Sequence, residues 1–95
     1  MTLKVLVVDG SLFFQHRLAN IINEHNKLEV IGFAGNGREA INKVVELAPD
    51  IVTMDYEMPI MDGVTAIRSI MSCHPLPILM LSSTAFPESK MTFGH

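Results

Sequence analysis

Two aspartates stand where apolar runs end, Asp9 after Val5-Leu6-Val7-Val8 and Asp55 after Ile51-Val52-Thr53-Met54. If both runs are strands of one parallel sheet, the two carboxylates come together at its carboxyl edge. There they would either share a proton or hold a hard cation such as Mg²⁺, which takes oxygen ligands and keeps several waters. With the cation in place, one carboxylate can serve as a nucleophile toward phosphorus and give an aspartyl phosphate. Acids at strand ends are also ordinary turn residues and helix caps, and this plain reading competes for Asp9 more than for the pair.

The elements that must position these acids are legible in the pattern. Val5 to Val8 is an unbroken, mostly β-branched run, as in a strand covered on both faces. Ser11 can cap a helix whose apolar positions Leu12, Phe13, Leu18, Ile21 and Ile22 recur at roughly helical spacing up to Glu24. Leu28 to Ala34 reads as a second strand. Gly35-Asn36-Gly37 then turns into a helix from about Arg38 to Leu47, with Ala40, Ile41, Val44, Val45 and Leu47 on its buried side. Pro49 ends that helix, because the residue before a proline disfavours helical geometry. A third strand covers Ile51 to Asp55, and Asp62 caps a third helix reaching about Cys73, stopped by His74-Pro75. Ile78 to Leu81 is a fourth buried strand, followed by a Ser-Ser-Thr loop and Pro87. Alternating strands and helices predict an α/β fold, a doubly wound parallel sheet with right-handed crossovers. Ligands bind such sheets beyond the carboxyl ends of the strands, here Asp9, Ala34, Asp55 and Ser82.

Composition narrows the function classes. A chain of 95 residues with 48% apolar and 18% charged side chains reads as one domain, residues 1–95, with enough bulk for a core. One cysteine, Cys73, cannot form an internal disulfide, which suits a reducing compartment. Ten acids against seven scattered bases give a net charge of -3, a poor footprint for nucleic acid. The first apolar run is too short for a signal peptide or a membrane span, so the expectation is a cytoplasmic protein with no membrane partner.

Other motifs compete. Gly35-Asn36-Gly37-Arg38-Glu39-Ala40 matches the G-x-G-x-x-A dinucleotide fingerprint, with Asp55 about twenty residues on. It follows the second strand rather than the first, and four strands are few for a dinucleotide. A tight strand-to-helix turn explains its glycines as well. Asp55-x-Glu57 is similar to the nucleophile motif of haloacid-dehalogenase-type phosphatases, but Pro59 stands where those enzymes carry threonine or valine. His16, His25, His74 and His95 lie in different elements without metal-ligand spacing. The seven methionines suit adaptable packing, and Ser11 suits a cap better than a nucleophile. An exposed Phe13 or Phe14 would offer a partner protein a docking contact.

Taken with Lys4 to Asp9, the segment Asp55-Tyr56-Glu57-Met58-Pro59-Ile60-Met61-Asp62-Gly63 and the run Pro77 to Ser83, the chain resembles the receiver domains of bacterial response regulators. The likeness is greatest to the receivers of chemotaxis methylesterases. The resemblance implies a flavodoxin-like sheet of order 2-1-3-4-5, the order shown by a chemotaxis receiver. It implies that Asp55 accepts a phosphoryl group from a histidine kinase and that Asp9, Asp55 and the backbone carbonyl of Glu57 hold Mg²⁺. The Glu57 side chain would tune the lifetime of the phosphoryl group, and Ser82 would be the switch hydroxyl. Met58 and Pro59 would shape the loop, and Gly63 would supply backbone freedom at the helix start. The chain itself would be no enzyme; it would act on an output domain or a downstream protein.

Two departures stand beside the match. Gly10 occupies the place of a second metal-binding acid, which should weaken Mg²⁺ binding and slow transfer, although water can fill the vacancy. The sequence stops at His95, before the expected fifth strand with its lysine and aromatic switch residue, which leaves Ile78 to Leu81 as an apolar edge. Either the sequence is a truncated receiver, or a second chain covers the edge in a homodimer. The alternative function is a degenerate, phosphorylation-independent receiver that acts through protein contacts alone.

Overall fold

The computed structural model describes residues 1–82. Four strands, β1 (Leu3–Val8), β2 (Leu28–Ala34), β3 (Ile51–Asp55) and β4 (Ile78–Leu81), alternate with helices α1 (Leu12–Asn23), α2 (Gly37–Leu47) and α3 (Gly63–Cys73). All neighbours run parallel in the order β2-β1-β3-β4, the flavodoxin-like order of the first four strands. Ser83, Pro87, His95 and the place of a fifth strand lie outside the described residues.

Each helix starts on the side chain foreseen for it or on a close neighbour. Ser11 Oγ accepts from the Phe14 amide at 3.3 Å, Asn36 Oδ1 from Glu39 N at 2.8 Å, and Asp62 Oδ1 from Thr65 N at 2.8 Å. These bonds satisfy amides that the helix itself leaves unpaired. The cap bonds to Thr65 also hold the Asp62 carboxyl below the usual carboxylate range. At the other end of α2, Ala48 takes the left-handed conformation, φ 48°, immediately before Pro49.

Leu6, Val8, Val52 and Met54 face α2 and α3 and pack with Ala34, Ala40, Val44, Ala66 and Ile70. Val5 and Val7 point the other way, onto Ile22 of α1. A buried central strand flanked on both faces is why β1 reads as a continuous apolar run rather than an alternating one. Between Val5 and Leu6 the pairing with β2 shifts register by one residue. The bulge places Gly32, where a Cβ would come within 2.7 Å of Leu47 Cδ1, under the end of α2.

The structure settles one face that periodicity left open and corrects two others. In α1, Leu12, Phe13 and Ile21 are exposed, Phe13 by 63%, while the polar Gln15 is buried beside Ala19 and Ile22. In α2, Val45 faces outward. The fourth strand is half covered within the described residues, with Leu79 57% exposed on the face opposite Met80. Apolarity alone does not choose a face when both sides of a helix carry apolar residues.

Gly63 is required for a different reason from the one its place suggests. Among the described residues no glycine has a positive φ, so left-handed freedom is not what Gly63 supplies. A Cβ at Gly63 would collide with the backbone carbonyl of Asp55, so the missing side chain lets α3 start directly against the end of β3. Gly63→Ala is therefore expected to lower stability by about 2–3 kcal/mol, read as a lower denaturant midpoint with an unchanged slope.

Candidate functional site

The site begins with strand register. Val8 of β1 is level with Met54 of β3, so Asp9 and Asp55 leave the sheet at the same height on adjacent strands. On the other side of β3, Asp55 pairs with Leu81 of β4, which brings Ser82 to the same edge, partly buried. The two aspartates are 8% and 6% exposed. Burial of its carboxyl pushes the Asp9 pKa up, the amide of Ser11 on Oδ1 at 2.8 Å opposes this, and the negative charge of Asp55 adds to the rise. Among the described residues neither acid makes a salt bridge. The ion pair found there is Lys43 with Glu39, at 3.9 Å on the surface of α2.

The loop after β3 carries the third expected donor. The Glu57 amide donates to Asp55 Oδ1 at 3.4 Å, a long bond, while the Glu57 side chain is exposed. The loop is tied down at three points by backbone bonds, Tyr56 N to Leu81 O, Gly63 N to Tyr56 O and Gly37 N to Met61 O, at 3.0 to 3.1 Å. Within it, Met61 N donates to Pro59 O at 2.7 Å across Ile60, whose φ is 70°. That bond and that angle describe a γ-turn of the rare, strained kind, here centred on a β-branched residue that is 76% exposed.

The glycine-rich turn serves this loop. A Cβ on Gly37 would meet Met61 O at 2.7 Å and Ala66 Cβ at 2.9 Å, so the glycine allows α2 to press against the loop. Glu39 Oε1 accepts from Gly35 N at 2.7 Å, which occupies an amide that a phosphate would need. The dinucleotide reading therefore gives way to the plainer one, with close approach as the specific cause. His16, His25 and His74 are exposed and separate, His74 ending α3, and no cluster of three or more His, Cys, Asp and Glu able to hold a metal exists among the described residues.

Gly10 lies beside this pocket. A Cβ there would stand 3.3 Å from Pro59 Cδ and 3.8 Å from both Gly35 O and Met58 Cα. A side chain at this position fits if the Pro59 ring gives by a few tenths of an ångström. The residue that sequence reasoning missed is Gln15. It sits on the buried face of α1 and donates through Nε2 to Asp9 O at 2.8 Å and to Ala34 O at 3.4 Å. A glutamine among apolar helix positions was the available signal, but periodicity counted only the apolar residues.

A parallel sheet of this order with a buried acid pair at its carboxyl edge fits a response regulator receiver, and comparison with known proteins agrees. The chain belongs to the response regulator receiver domain family, whose model matches residues 5–93. It is 56% identical over 92 residues to protein-glutamate methylesterase/protein-glutamine glutaminase 1 of Saccharophagus degradans and 55% identical over 92 residues to the corresponding protein of Vibrio parahaemolyticus. Each match covers 97% of this chain and 25% of the relative, so the chain spans about a quarter of the length of these proteins. Among solved structures, the response regulator domain of Thermotoga maritima CheB superposes with a TM-score of 0.86 at 40% identity, over 98% of this chain and 69% of that one. A CheX-CheY-BeF3-Mg²⁺ complex from Borrelia burgdorferi gives 0.80 at 33% identity, over 92% and 66%. The chain is thus a receiver of the chemotaxis methylesterase type. Among the described residues no helix is long and apolar enough to cross a membrane.

The raised Asp9 pKa has a sign that can be measured. The folded state holds the Asp9 proton more tightly than the unfolded chain does, so this group favours folding at low pH and its contribution is lost as pH rises through the folded-state pKa. Asp9→Asn keeps an acceptor for Ser11 and removes the charge. It should raise the thermal midpoint at pH 7 by roughly 2–5 °C, with the gain vanishing below about pH 4, as followed by calorimetry across pH.

Proposed function

We propose that Asp55 accepts a phosphoryl group from the phosphohistidine of a histidine kinase. The observation that carries this reading is the pair of buried carboxylates, Asp9 and Asp55, level on adjacent strands without a cationic partner among the described residues. Buried like charges are costly unless a cation or a proton relieves them. The donors fit Mg²⁺, which is a hard ion that binds through one or two carboxylates together with phosphate oxygens and water. Asp9, Asp55 and the backbone carbonyl of Glu57 would hold it. Bound there, Mg²⁺ neutralises charge that develops on the transferring phosphoryl oxygens.

The chain's own residues do the remainder. A carboxylate oxygen of Asp55 forms the new bond to phosphorus as the phosphorus–nitrogen bond of the donor breaks, and the electron pair stays on the imidazole nitrogen, which takes up a proton. Asp9 remains unmodified and keeps its hydrogen bond to Ser11. The Ser82 hydroxyl, one residue beyond the strand position paired with Asp55, would hydrogen-bond a phosphoryl oxygen and so act as the switch.

The partner served by the switch is an output domain or a separate protein in the same cytoplasmic pathway. Relatives at 55–56% identity are named as methylesterases and glutaminases acting on protein glutamate and glutamine, and a receiver controlling such a domain is the corresponding role for this chain. Gly10 supports a second reading, a receiver that works by protein contacts without phosphorylation, because it withdraws one carboxylate from the metal pocket.

One experiment separates the two. After incubation with Mg²⁺ and a small acyl phosphate, intact mass should rise by about 80 Da, one phosphoryl group, and Asp55→Asn should abolish the gain. Gly10→Asp, whose Cβ needs the Pro59 ring to give by a few tenths of an ångström, should tighten Mg²⁺ binding about tenfold by titration. No mass gain and no saturable Mg²⁺ binding would establish the contact-only reading.

A further inference from the structure

The buried amide of Gln15 has no place in the phosphoryl chemistry, yet it is 5% exposed on a helix whose Leu12 and Phe13 lie outside. Burying an unpaired amide is unfavourable, so its partners show what the position is for. Both are backbone carbonyls, Asp9 O at 2.8 Å and Ala34 O at 3.4 Å. Since both partners only accept, the nitrogen end of the amide must face them.

Asp9 is thereby held at three points. Its amide donates to Ala34 O at 3.0 Å, its carbonyl accepts from Gln15 Nε2, and its Oδ1 accepts from Ser11 N at 2.8 Å. The next residue, Gly10, has no side chain to brace the turn. Among these bonds, that of Gln15 ties the end of β1 to a rigid helix, while the other two link it to β2 and to the turn itself. We infer that Gln15 is a positioning residue for the metal pocket, fixing the backbone of Asp9 so that its carboxylate is presented beside Asp55. The assignment rests on the reading of Asp9 as a Mg²⁺ ligand.

The test compares Gln15→Met, which keeps length and loses the donor, with Ile70→Val, a core change in α3 remote from Asp9. Mg²⁺ affinity and backbone amide exchange are measured on the full chain. Gln15→Met should weaken Mg²⁺ binding about tenfold. In metal-free protein it should speed exchange at Asp9 and Ser11 relative to Met54, a buried strand amide. Ile70→Val should lower the unfolding midpoint and do neither. Mg²⁺ affinity within about twofold of the unaltered chain would overturn the assignment and leave Gln15 as a helix-to-sheet tie. If the unaltered chain binds no Mg²⁺, the metal-site reading fails separately, and exchange then decides: selective loosening of Asp9 and Ser11 upholds Gln15 as the brace, and uniform exchange overturns it.

Discussion

Everything around the site answers to one electrostatic constraint: two carboxylates buried side by side at the ends of neighbouring parallel strands. The pair is tolerable in part because Asp9 accepts an amide hydrogen bond from Ser11. It is unavoidable because β1 and β3 pair in register up to Val8 and Met54. A shift by one residue would turn Asp9 toward the opposite face and part the acids.

Glycine and hydrogen bonding then compress the surroundings onto that edge. Gly63 lets α3 abut the carbonyl of Asp55, and Gly37 lets α2 press on Met61, so two helices on one face converge on a single loop. That loop is fastened by backbone bonds to β4 and α2 and strained at Ile60. On the other face, α1 reaches the site through Gln15.

Gly10 gains a physical meaning in this frame. It is neither strained nor packed so tightly that a side chain is excluded, since a Cβ there is crowded only by the Pro59 ring. Glycine at this position is therefore not a demand of the backbone. The glycines at 37 and 63 are of the opposite kind, and a motif scan treats all of them alike.

Much of the fold was legible because it rests on local rules. The strands Leu28–Ala34, Ile51–Asp55 and Ile78–Leu81 lie where runs of apolar residues put them, and Ser11 and Asp62 cap the helices they precede. The acids at strand ends were readable because a polar residue closing an apolar run marks the sheet edge. By itself the sequence determined these elements, their order and the two carboxylates at their ends. Only the tertiary structure decided which face of α1 is buried, that Val45 and Leu79 stand outside, and that Gln15 reaches Asp9 and Ala34 across the sheet. The physical reason is distance along the chain: caps and strand runs are set by residues within a turn or two, whereas burial and the Gln15 bonds depend on surfaces that meet only after the sheet has assembled.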